Sequence, residues 1–340
     1  MKGGLCERKV KVFLMGYNRE NYKRIRDEYQ NKNLRAREDA ERRADELHAR
    51  FPDIAEIDRI LADTGMRIFG EAMKGRDGLD KRIASLRAQN LELRKTRAEL
   101  LMSRGYPADY SSVKYECGDC SDTGYIGTKM CHCMRERLIK AGYESSGIGR
   151  LIETQSFDTF SLDYYRQNSE QYNYMKQVYT LCRDYAEGFV PDTGRNLLFC
   201  GTTGLGKTHM STAIAKTVIE RGYDVVYVTI QELVSDFEYE RFYRSYSDEG
   251  EPKTLRYFDC DLVIIDDLGA EVSNQFTVSC LYNVINSRIN KAKSMIINTN
   301  LNENEIRGRY SDRITSRLFG EFAAFRFYGR DIREIKASEK

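Results

Sequence analysis

The 340-residue sequence has no apolar run approaching the roughly 18 to 20 residues of a membrane span, which excludes a transmembrane helix. Its N-terminus offers only a short apolar stretch, Val10–Met15, with Lys9 and Lys11 around it. That is too short for a signal-peptide core, and no small-residue cleavage site follows, so a cytoplasmic chain is expected. Internal repeats and low-complexity tracts are missing. Net charge is scarce too, at +2, although residues 1–105 carry 25 Lys and Arg against 18 Asp and Glu. Such a bias is compatible with nucleic acid or an acidic partner, but its small size favours a solvated helix surface. Hydrophobic residues at 41% and charged residues at 31% support a packed core rather than disorder. The length is comfortable for two domains. Nine cysteines in a cytoplasmic chain point, where they cluster, to metal rather than to disulfides.

Composition divides the chain. Residues 18–104 are rich in Arg, Glu, Ala and Leu, with one proline, Pro52, and predict helices. Ile57, Ile60, Leu61, Thr64, Ile68 and Phe69 share one helical face. Ile83, Leu86, Asn90, Leu93, Arg97 and Leu100 alternate three and four apart, a short heptad seam with two polar breaks. A bundle or hairpin over 1–104 is expected. Residues 105–135 form a compact cysteine-bearing segment, and 136–190 a connector with a helix at Ser169–Glu187. Residues 191–340 alternate short apolar strands and helices. Strands are expected at Asn196–Cys200, Asp224–Thr229, Leu262–Ile265, Met295–Asn298 and Phe325–Tyr328, and helices at Thr208–Arg221, Phe276–Asn290 and Ile306–Phe319. This pattern predicts a parallel sheet covered on both faces.

The first strand runs into Gly201-Thr202-Thr203-Gly204-Leu205-Gly206-Lys207-Thr208, the eight-position phosphate loop, with His209 directly after it. Glycines let successive backbone N–H groups curl around phosphate oxygens at a helix N-terminus. Lys207 would reach the β- and γ-phosphates and Thr208 would place its hydroxyl on Mg²⁺. Leu262-Val-Ile-Ile265-Asp266-Asp267 delivers two carboxylates at a strand end, Asp266 for Mg²⁺ and Asp267 to polarise water. A third strand ends in Asn298-Thr299-Asn300, where an amide can orient water. Arg313 and Arg317 lie one helical turn apart, and their spacing alone favours a surface ion pair with Asp312 or Glu321 over phosphate chemistry.

Cys117-x-x-Cys120 and Cys131-x-Cys133 place four thiols within seventeen residues, enough for one tetrahedral structural Zn²⁺. Four free cysteines or a redox pair are the alternatives. Cys6, Cys182, Cys200, Cys260 and Cys280 are scattered and suit packing.

These motifs in this order resemble an AAA+ ATPase. Gly201–Thr208, Leu262–Leu268 with Gly269-Ala-Glu271, Asn298–Leu301 and Tyr310–Leu318 resemble the bacterial replicative helicase loaders of the DnaC/DnaI family and the related IstB transposition ATPases. The resemblance covers roughly residues 150–335. It implies an α/β P-loop NTPase domain with a parallel sheet, preceded by a helical N-terminal region and a small zinc-binding module. Gly201 through His209, together with Asp266 and Arg313, would bind ATP and Mg²⁺. Asp267 would serve catalysis, Asn300 would sense the γ-phosphate with Thr299 as runner-up, and Arg317 would act on a neighbouring subunit's nucleotide. The Tyr115-to-Gly124 stretch resembles the zinc-binding part of DnaI-like loaders. Some twenty residues follow Gly320, too few for the helical lid of most AAA+ proteins, which leaves a sensor role for Arg333 doubtful. The implied function is an ATPase that loads a hexameric replicative helicase onto single-stranded DNA and self-associates through its AAA+ domain, without a membrane. Phe237 to Tyr246, with Lys253 and Arg256, interleaves aromatics and arginines and is the candidate DNA contact. An IstB-like transposition helper, an adaptor latched by ATP with little hydrolysis, and a P-loop kinase are the rival readings.

Overall fold

The computed structural model describes residues 17–73, 78–244 and 252–338. Cys6, the Val10–Met15 stretch and Tyr246 lie outside the described residues. The chain divides into two compact units, one of Ile25–Met134 and the other of Met1–Arg24 with Arg135–Lys340. Among the described residues no helix is long and apolar enough to cross a membrane.

The larger unit is built on a sheet of five parallel strands. They are β3 (Asn196–Cys200), β4 (Val225–Thr229), β5 (Leu262–Leu268), β6 (Ser294–Thr299) and β7 (Phe322–Arg326). Their spatial order is β4-β5-β6-β3-β7. The strand carrying the phosphate loop therefore lies beside β6 and not beside the Asp266 strand. Side chains alternate between faces. Leu197, Phe199, Leu262 and Ile264 enter one core with the helices Ser169–Glu187 and Lys207–Glu220. Leu198, Val263, Ile265 and Ile297 enter the other with Gln275–Asn290 and Asp312–Gly320. Burial on both faces explains why the strands read as unbroken apolar runs.

The segment read as a connector supplies Ile148, Phe157, Tyr165, Met175, Val178 and Tyr185 to the first core. The helix expected over Ile306–Phe319 is two, Glu303–Arg309 and Asp312–Gly320. Between them Tyr310 is extended and buried, and its hydroxyl donates to the Glu271 carboxylate. Tertiary contact at Tyr310 overrides the helical period. The last strand begins earlier than expected, at Phe322, and pairs Asn196 with Phe322 through Cys200 with Arg326.

In the smaller unit the helices Pro52–Ala62, Thr64–Met73 and Leu79–Ser103 follow the end of Arg19–Arg50. Pro52 opens its helix, where its missing N–H costs nothing. Leu47, Ile54 and Leu101 form the core, with Phe51, Leu100, Tyr106 and Tyr110 packed on it. Both polar breaks in the seam are paired. Asn90 accepts from Thr64 at 3.1 Å, and Arg97 donates through Nε and Nη2 to the two oxygens of the Asp58 carboxylate. Phe69 is 68% exposed and lies off the buried face.

Candidate functional site

The phosphate loop joins β3 to the helix Lys207–Glu220. Gly204 (φ 76°) and Gly206 (φ 87°) take the left-handed conformation that side chains disfavour. Lys207 is buried, and its ammonium donates to the carbonyls of Gly201 (2.6 Å) and Thr202 (2.7 Å), which spans the loop it would share with phosphate. Burial lowers its pKa. Thr202 and Thr203 are exposed, whereas Leu205 is buried and its carbonyl accepts from Tyr165 at 2.7 Å. His209 turns away to the preceding segment. Its Nε2 lies 3.0 Å from the Ser156 carbonyl and 3.1 Å from the Thr159 hydroxyl, and burial pulls its pKa down.

Asp266 sits at the head of β5, 5% exposed. Its Oδ2 accepts from the Thr208 hydroxyl at 3.0 Å and from the Tyr227 hydroxyl. Its Oδ1 accepts from Asn298 Nδ2 and from the Asp267 backbone, each at 2.9 Å. The β5–β6 register shifts between Ile265 and Leu268, and Asp267 there has φ 56°. A bulge of this kind re-aims a side chain, and Asp267 is left exposed beside a buried Asp266. Partial desolvation, then the neighbouring Asp266 carboxylate, raise its pKa. Thr208 and Asp266 bring hydroxyl and carboxylate oxygens together at the phosphate loop, the hard donor set that Mg²⁺ takes.

On β6 the contact to Asp266 comes from Asn298, fully buried, which also donates to Ser211 at 2.8 Å. Thr299 donates to the Leu268 carbonyl at 2.7 Å, and Asn300 is exposed just past the strand. The sequence marked Asn298 only as part of its strand's polar end and placed the sensing role on Asn300, and it did not single out Tyr227. The available signal was a polar residue inside an apolar strand, and its meaning depends on knowing that β6 lies beside β5.

Arg313 is exposed. Arg317 pairs with neither Asp312 nor Glu321 as a surface pair would. It donates to Asn286 Oδ1 at 3.0 and 2.8 Å and lies 4.9 Å from the Tyr282 ring centre. Of the candidate DNA-contacting segment, Phe237 packs on Tyr257 and Phe258. Phe242 and Tyr243 are exposed, at 63% and 74%, and Arg241 lies 5.3 Å from the Phe242 ring centre.

In the smaller unit all four thiol sulfurs of Cys117, Cys120, Cys131 and Cys133 lie within 4.8 Å of one another. Cys117–Cys131 is 3.8 Å and Cys120–Cys133 is 3.6 Å. A tetrahedron with Zn–S of about 2.3 Å has edges of about 3.8 Å, so the four could bind zinc. The loop is shaped for it. Asp122 accepts from the backbones of Glu116 and Cys117 at 2.8 Å each. The hairpin of β1 (Tyr125–Ile126) and β2 (Lys129–Met130) leads into Cys131, whose N–H donates to the Gly124 carbonyl at 2.9 Å. The Cys120 backbone N–H, the largest influence, helps bring the Cys117 thiol down to about 7.

Residues 157–317 match the family profile of the IstB-like ATP binding protein. The chain is 31% identical over 122 residues to the chromosomal replication initiator protein DnaA of Aliarcobacter butzleri, covering 36% of this chain and 27% of the relative. It is 25% identical over 184 residues to the replicative helicase loader DnaC of Escherichia coli, covering 54% of this chain and 71% of the relative. A crystal structure of the DnaC helicase loader aligns with TM-score 0.44 and 21% identity, over 53% of this chain and 99% of that one. The chain thus spans about a quarter of the DnaA relative's length and somewhat over two thirds of that of the loader from Escherichia coli. The resemblance drawn from the motifs holds: the sheet unit is similar in sequence to the DnaC loaders and matches the IstB-like ATP-binding profile over residues 157–317. The matched profile is that of an ATP-binding protein.

Proposed function

We propose that the chain is an ATP-dependent loader of a hexameric replicative helicase onto single-stranded DNA, acting in the cytoplasm. The observation that carries the reading is the meeting of Thr208 and Asp266 at the phosphate loop, in a chain similar to replicative helicase loaders. Backbone N–H groups of Gly204 to Thr208 cradle the phosphates, and Lys207 leaves its two carbonyls to reach the terminal ones. Thr208 and Asp266 hold Mg²⁺, which when bound offsets charge on the phosphate oxygens. Asp267, aimed outward by the bulge, orients water, with Asn300 at the rim. Arg317, held in place by Asn286 and Tyr282, serves the nucleotide of a neighbouring copy, with Arg313 supporting it. Phe242, Tyr243 and Arg241 offer stacking faces and charge to single-stranded DNA. The four-cysteine module holds a structural Zn²⁺, and the helical region before it grips the helicase.

Recovery of bound proteins from the native lysate with ATP tests this. The replicative helicase should come down with the full chain. Recovery of a transposase instead would favour the second reading, a transposition helper, which the IstB-like profile match supports.

A further inference from the structure

We propose that Tyr227 is a positioning residue for the Asp266 carboxylate, and that the turn at Ser146–Gly147 in turn fixes Tyr227. The inference rests on the reading that Asp266 holds Mg²⁺.

Tyr227 lies on β4, the outermost strand on its side of the sheet among the described residues, and is 7% exposed. Its ring packs in the first core, a task phenylalanine performs equally well. The hydroxyl is different. A buried phenol is unfavourable unless its O–H finds an acceptor, and this one donates to Asp266 Oδ2. That oxygen also accepts from Thr208. If Thr208 turns to a metal ion, Oδ2 loses one of these two donors, and Tyr227 is the one that stays. With Asn298 on Oδ1, it keeps the carboxylate plane from rotating.

The backbone of Tyr227 is held from outside the sheet. Among the described residues β4 has no strand on its outer side, yet the Tyr227 N–H donates to the Ser146 carbonyl at 2.7 Å. Gly147 follows with φ 84°, and a Cβ there would collide with the Tyr227 carbonyl oxygen. One turn therefore meets both backbone polar groups of the residue. The turn is itself anchored: Ser146 is fully buried, its hydroxyl donates to the Tyr143 carbonyl at 2.9 Å, and Asn21 donates to Ser145 at 2.8 Å. Gly149, two residues on, has φ 62° but open space where a Cβ would stand.

The test is Mg²⁺-dependent binding of a fluorescent ATP analogue to the full chain, with thermal melting alongside. Tyr227→Phe should raise the half-saturating Mg²⁺ concentration about tenfold, as loss of a partner behind a metal ligand does. Its metal-free nucleotide binding should stay near wild type, while its Tm falls modestly, as expected when a buried carboxylate loses one donor. Gly147→Ala should move Mg²⁺ dependence the same way, and Gly149→Ala should not. A wild-type Mg²⁺ midpoint in Tyr227→Phe, with Asp266→Asn losing the Mg²⁺ response, overturns the role of Tyr227. Indistinguishable midpoints for the two glycine variants overturn that of the turn. A wild-type Mg²⁺ response in Asp266→Asn overturns the metal assignment itself, and the inference with it.

Discussion

At the scale of single residues the site is a set of donors converging on one carboxylate. Asn298→Ala removes one of them and leaves Ser211 without its amide partner. Both positions are buried, so the expected loss is about 1–3 kcal/mol of stability, read by denaturant unfolding. Asp267→Asn should keep nucleotide binding and slow hydrolysis. Because desolvation and Asp266 raise the Asp267 pKa, the proton leaves later than from an ordinary carboxyl. The acid limb of the ATPase pH profile should therefore lie above the usual aspartate value of about 3.9 and vanish in Asp267→Asn. The Gly201–Thr208 loop was legible in the sequence because its signal is one run of consecutive residues between a strand and a helix. Asn298 and Tyr227 were not, because their role depends on which strands flank β5.

At the scale of elements, the strands were legible as apolar runs, while the bulge at Asp266–Asp267 and the break at Tyr310 were not. Both are set by tertiary contacts. Glu271 ties these places together. It accepts from the Gly269 backbone at 2.8 Å and from Tyr310, and its backbone carbonyl accepts from Arg309. At the opposite end of the strands Asp261 is buried at the entry to β5. Its Oδ2 accepts from the Asp224 backbone at 3.0 Å. Burial lifts its pKa to about 6 from 3.8. The folded state therefore holds this proton more tightly than the unfolded chain does. Its favourable contribution is complete below about pH 4 and is lost as pH rises to about 6. Asp261→Asn keeps an acceptor and carries no charge, so it should gain about 1–3 kcal/mol at pH 7.5 and nothing near pH 4. Melting curves at the two pH values check this.

At the scale of the whole molecule, the chain joins a helical, four-cysteine unit to a P-loop sheet unit. The purified chain is expected to carry one zinc per molecule by elemental analysis. Cys120→Ser, or a zinc-selective chelator with Mg²⁺ kept in excess, should melt the smaller unit and leave nucleotide binding intact. The division was partly legible: the cysteine spacing marked the module, but composition read residues 136–190 as a connector, and only the resemblance from about residue 150 reached into the part that completes the sheet unit's core. The central claim is that nucleotide chemistry at Asp266 drives helicase loading. The direct measurement mixes the chain, a hexameric replicative helicase and closed circular single-stranded DNA, then isolates the circles by gel filtration and counts bound helicase. The account predicts helicase on the circles only when chain and ATP are both present, and none above background with Asp266→Asn. Equal loading without ATP, or by Asp266→Asn, would contradict it.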